Sequence, residues 1–176
     1  TDRVGLFGIS AGGHTALALA GGRWSPARLK AHCEAHIAED FHACAGPNFA
    51  LTGGPFDEMK MATTLAVIRL KLDDAQEQGH TDPRIVAIVA GVPFAADFDP
   101  ASLRQPQAAL ALVTAQQDRW LVPRFHSAMV LQACAERCTL LADLATGGHG
   151  ALLSPPPPRV SAGLDSLLAD RSEEHT

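Results

Sequence analysis

Arg3-Val4-Gly5-Leu6-Phe7-Gly8-Ile9-Ser10-Ala11-Gly12-Gly13-His14-Thr15-Ala16-Leu17 opens the chain with an apolar run, a Gly8-to-Gly12 corner and a helix-favouring continuation through Ala18-Leu19-Ala20. The pattern predicts a strand, a sharp turn and a helix over residues 11–20 that Gly21-Gly22 stops. A strand apolar on both faces belongs inside a parallel sheet, with neighbouring strands beside it and helices on both sides. This one starts within a few residues of a chain end that carries no methionine, so an upstream part of the fold is expected.

Working outward, residues 23–56 read as a loop-rich excursion holding His32, His36, His42, Cys33 and Cys44. From 56 to about 78, Met61, Leu65, Ile68 and Leu72 recur at helical spacing, which predicts an amphipathic helix. Covering the sheet is its expected role, and a lid over a site is the alternative. Residues 84–90, 108–115 and 138–142 read as further buried strands, and 123–136 as a helix with proline in its first turn. Strands alternating with helices define an α/β fold, a mostly parallel sheet flanked by helices, in one partial domain over 1–170. Pro155–Pro158 should bridge to a last helix near 160–168, and the polar 171–176 tail is excluded from the fold.

A chain of 176 residues with 47% apolar and 19% charged side chains can build one core. Its net charge of −5 and the lack of a Lys/Arg cluster argue against nucleic acid or an anionic membrane as partner. No apolar run approaches the length of a membrane span. The compartment is left open. Of the four cysteines, none has metal-site spacing. Cys33 and Cys44 are left open between a small closed loop and free thiols, while the four-residue spacing of Cys134 and Cys138 near a helix end argues against a bridge.

The Gly-x-Ser-x-Gly corner carries the chemistry. A serine at a tight strand-to-helix turn is held in a strained backbone, and the reading requires Gly8 and Gly12 to lack a Cβ there. The turn presents the Ser10 hydroxyl beyond the sheet and leaves the Ala11 N–H at a helix N-terminus, where negative charge is favoured. None of the seven other serines lies between such runs. A serine nucleophile needs a base and a group that orients the base, and both belong on loops past the carboxyl ends of strands. Past the third strand stands Asp118, in Gln116-Gln117-Asp118-Arg119-Trp120-Leu121; Asp97 and Asp99, past the second, are rival acids. Past the fourth, Gly147-Gly148-His149-Gly150 offers an imidazole flanked by glycines. The remaining histidines read as surface or loop residues, with His14 one turn past Ser10 on its helix. Phe94, Trp120 and Leu121 are candidates to line an apolar pocket. No metal or organic cofactor is indicated.

The order Ser10, Asp118, His149 resembles that of the α/β-hydrolases. In detail the chain is similar to the serine-type dienelactone-hydrolase-like proteins, themselves similar to platelet-activating-factor acetylhydrolases. The likeness rests on residues 3–13, Asp82-Pro83-Arg84-Ile85, Val113-Thr114-Ala115 with Asp118 to Pro123, and Gly148-His149-Gly150. It implies the C-terminal part of that fold and hydrolysis of a small carboxylic ester through an acyl-enzyme. Ser10 would be nucleophile, His149 base, Asp118 orienting acid and Ala11 N–H one oxyanion donor. It also implies that the upstream half is a partner supplying the second donor, so that this piece alone is impaired. Dienelactone hydrolases themselves carry a cysteine nucleophile and an arginine soon after the histidine, where this chain has Ser10 and Ala151-Leu152-Leu153. In the acetylhydrolases the acid can follow the preceding strand, where Gly91-Val92-Pro93-Phe94 holds no carboxylate. The alternative is a catalytically silent fragment or binding domain of the same fold.

Overall fold

The computed structural model describes residues 2–153. The first strand, β1 (Val4–Ile9), turns at Ser10 into helix α1 (Ala11–Leu19). There follow α2 (Pro26–His36), α3 (Phe41–Ala45), α4 (Asp57–Lys71), β2 (Ile85–Gly91), β3 (Ala109–Ala115), α5 (Ser127–Cys134) and β4 (Cys138–Leu144). The strands form one sheet in the order β1-β2-β3-β4, and every neighbouring pair is parallel. The fold is thus α/β, a four-stranded parallel sheet flanked by helices.

Register explains the core. Leu6 pairs with Ile88 and Gly8 with Ala90, and Ile88 and Ala90 pair in turn with Leu110 and Leu112, so one face carries a continuous apolar band. Ala16, Leu17 and Ala20 of α1 and Val130 and Cys134 of α5 close over it. Small residues let α1 approach closely: a Cβ on Gly13 would come within 2.8 Å of the Pro93 Cα. On the other face, Phe7 pairs with Val89 and is 59% exposed. The two-sided cover expected from the apolar β1 is therefore seen on one face among the described residues.

Three expectations are corrected. Residues 23–56 are not mainly loop: Ser25 caps α2 by accepting the Arg28 N–H at 3.4 Å, and Pro26 fills the first helical position. The amphipathic helix ends at Lys71 rather than near 78, and its inward stripe packs on α2 and α3 instead of covering the sheet. The cysteines form two disulfides, Cys33–Cys44 and Cys134–Cys138. The second pair was not expected. It forms because α5 stops at Cys134 and a tight turn over Ala135–Arg137 returns the chain to β4, with the two Cα atoms 5.7 Å apart. The expected Pro155–Pro158 bridge, the helix near 160–168 and the 171–176 tail lie outside the described residues.

Candidate active site

Ser10 lies just past β1 with φ 57° and ψ −116°, a region that costs a non-glycine residue about 1–3 kcal/mol and persists only where surroundings over-determine it. They do so here: the Ser10 N–H donates to the Gly91 carbonyl at 3.0 Å, and the Ser10 carbonyl accepts from His14 N–H at 3.0 Å and Phe94 N–H at 3.2 Å. Crowding at the corner is more selective than the glycine pattern suggests. A Cβ on Gly8 would collide with the Gly12 carbonyl, whereas one on Gly12 would meet open space. The close-approach glycines are Gly8 and Gly13, and the requirement placed on Gly12 is corrected.

His149 opens a short 3₁₀ turn after β4 and is 7% exposed. Its Nε2 lies 2.9 Å from Ser10 Oγ and its Nδ1 2.8 Å from Asp118 Oδ2. The Asp118 side chain is buried, and its other oxygen, Oδ1, accepts the N–H groups of Trp120 at 2.9 Å and Leu121 at 2.8 Å. An acceptor-only carboxylate on Nδ1 fixes the imidazole proton there and leaves Nε2 free to accept from the serine hydroxyl. The loops carrying acid and histidine are stitched together: Gln116 N–H donates to the Leu144 carbonyl at 3.0 Å and Gln117 N–H to that of Gly147 at 2.9 Å. Three residues from distant parts of the sequence thus form one array beyond the carboxyl ends of β1, β3 and β4.

The array borders a cleft of about 370 Å³. Phe94, Trp120 and Leu121 line it with Ala43, Pro47 and Ala11, the first residue of α1. Trp120 stacks near His149, their ring centroids 5.1 Å apart. The rival acids are engaged elsewhere. Asp97 Oδ2 faces His14 Nε2 at 3.0 Å, and Asp99 Oδ1 accepts the Ala101 N–H at 3.0 Å, capping the 3₁₀ turn Pro100–Leu103.

Sequence reasoning missed several residues. His14 and His42 line the cleft, and His126, read as a surface or loop residue, is fully buried at the start of α5. Asp40 is 1% exposed and meets His126 and His32. Burial alone would raise its carboxyl, but hydrogen bonds from His126 and His32, with the Val122 N–H, outweigh it and hold the pKa down at about 2. The bracketing by Cys33 and Cys44 was the one visible cue that the segment is fixed. Among the described residues no group of His, Cys, Asp and Glu is arranged to hold a metal ion, and no helix is long and apolar enough to cross a membrane.

Fold and site together define an α/β protein with an Asp-His-Ser array, its acid and histidine buried and its serine partly so, at the carboxyl edge of a parallel sheet. No family model and no curated protein matches the chain.

Proposed function

We propose that the chain is the C-terminal part of an α/β-hydrolase fold and hydrolyses neutral carboxylic esters through an acyl-enzyme on Ser10. The observation that carries this reading is the unbroken run from Asp118 Oδ2 through His149 to Ser10 Oγ, at 2.8 and 2.9 Å, ending on a serine held at positive φ. Ser10 Oγ adds to the ester carbonyl as His149 Nε2 takes its proton, and Asp118 stabilises the imidazolium. The Ala11 N–H, at the start of α1, receives the developing oxyanion. Collapse breaks the bond to the alcohol, which leaves with the proton from His149, and a water repeats the steps to release the acid.

Cleft chemistry supports the substrate class. Among the described residues that line it there is no lysine or arginine, and its aromatic and aliphatic walls suit a short acyl chain. Hydrolysis of p-nitrophenyl acetate and butyrate and labelling by a fluorophosphonate test the reading. Ser10→Ala abolishes both, and His149→Ala lowers turnover at least about 10³-fold with the fold retained. Turnover that survives Ser10→Ala refutes the proposal, and an unsubstituted chain that neither hydrolyses ester nor labels leaves a catalytically silent domain of this fold.

A further inference from the structure

A second buried polar cluster lies outside the Ser10 array, and the steps above make no use of it. Its centre is Asp40, in the turn between α2 and α3. Asp40 occupies the N-cap position of α3, where an aspartate ordinarily bonds its own helix, yet its side chain makes no capping bond. It points instead at three other segments. Oδ2 accepts from His126 Nε2 at 2.9 Å and from His32 Nε2 at 2.8 Å, and Oδ1 accepts the Val122 N–H at 3.3 Å. The His126 tautomer is set from its far side, since Nδ1 accepts the Ala95 N–H at 2.9 Å. One carboxylate therefore joins α2, the loop after β3 and the start of α5, and through His126 reaches the loop after β2.

The bond to Val122 carries the consequence. Val122 lies four residues past Asp118, and the N–H groups between them, of Trp120 and Leu121, are those that Asp118 Oδ1 accepts. The 118–122 turn is held at one end by Asp118 and at the other by Asp40. The Cys33–Cys44 disulfide closes the segment that carries Asp40, and α3 within that segment supplies His42 and Ala43 to the cleft wall.

We infer that Asp40 is a positioning residue: through Val122 it holds the 118–122 turn so that Asp118 stays in line with His149 Nδ1 and Trp120 stays against the cleft. The inference rests on the reading of Ser10, His149 and Asp118 as a hydrolytic array, and its test has one arm that does not.

Asp40→Asn separates the bonds. His126 has its Nδ1 committed to Ala95 and must donate from Nε2, so the amide oxygen of Asn stays on that side and its NH₂ faces the Val122 N–H, donor against donor. Val122→Pro cuts the same bond from the other end at a backbone, φ −55°, that proline accepts. In each variant of the full chain, NMR follows the His149 Nδ1–H resonance and its exchange with water, and a fluorophosphonate reports the labelling rate of Ser10. The expected result is an Nδ1–H that moves upfield and exchanges faster, because the carboxylate now 2.8 Å from Nδ1 leaves its line, and labelling slowed about 10²-fold. The two changes together should not add, as both remove one bond. A folded Asp40→Asn whose Nδ1–H resonance and exchange match the unsubstituted chain overturns the inference, whatever happens to labelling; if Asn at 40 fails to fold, Val122→Pro decides by the same resonance. An unsubstituted chain that does not label, with the resonance still moved by either variant, removes the hydrolase reading and leaves the positioning role standing.

Discussion

Replacing Asp118 by asparagine should disable His149 through its tautomer, with little change in the fold. Asp118 Oδ1 accepts two backbone N–H groups, from Trp120 at 2.9 Å and Leu121 at 2.8 Å. An asparagine must keep its one carbonyl oxygen on that side, since turning the amide would set an NH₂ against two donors. Its NH₂ then faces His149 Nδ1, the atom now 2.8 Å from Oδ2. A donor in that place requires Nδ1 to accept, so the ring's single proton moves to Nε2 and points at Ser10 Oγ, 2.9 Å away. The base can no longer take a proton from the serine. A tautomer change of this kind costs about 10⁴-fold in turnover, or about 5 kcal/mol in the barrier at 1.36 kcal/mol per tenfold. Shape and both backbone bonds survive, so stability should fall by no more than about 1 kcal/mol. The assay pairs p-nitrophenyl acetate turnover with ¹⁵N NMR of the imidazole and a denaturant midpoint. Turnover within tenfold of the unsubstituted chain, with the proton found on Nε2, refutes the reasoning; so does a ring whose proton stays on Nδ1.

Gly8→Ala and Gly12→Ala should differ sharply despite their symmetric places in the motif. The first drives a Cβ into the Gly12 carbonyl and should lower stability by about 3 kcal/mol, whereas the second meets open space and should be neutral or stabilising by up to about 0.5–1 kcal/mol; thermal melts separate them, and equal losses refute the steric account. Asp40, held down at about 2 in the fold against an ordinary value near 3.8, contributes stability that is complete above about pH 4 and lost as pH falls toward 2. The lowered folded pKa means that the unfolded chain takes up its proton first, and the shift is worth about 2 kcal/mol. Asp40→Asn should flatten that part of the acid limb of a denaturant-midpoint profile. Trp120→Ala opens the cleft beside His149 and should raise the ratio of kcat/KM for butyrate over acetate several-fold, an unchanged ratio placing the acyl chain elsewhere.

How far the sequence could be read follows the range of the forces involved. β1, the Ser10 corner and α1 are legible because apolar runs and a glycine-tolerant turn act within a few residues. The strands β2, β3 and β4 are short apolar runs set between turn signals, and their order could be read as parallel because each is separated from the next by a crossover. Asp118 and His149 could be singled out as neighbours of Ser10 because loops past the carboxyl ends of parallel strands lie side by side, a rule that operates on segments without needing contacts. Gly12 was misread because a spacing cannot say which glycine another backbone approaches; that is decided by α1 settling against Pro93 at Gly13.

Asp40 was illegible for a further reason. Its partners lie at His32, Val122 and His126, and nothing local marks an N-cap aspartate that declines to cap its helix. Its value comes from desolvation, which penalises a buried carboxylate unless several donors converge on it. Such convergence exists only after the α2–α3 segment has docked beside the loops that follow β2 and β3. The residues that would do chemistry at Ser10 can therefore be read from strand ends, while a residue that holds them in line shows itself only in the assembled fold. A variant at Asp40 should accordingly alter His149 without touching it, whereas one at Asp118 alters it by direct contact.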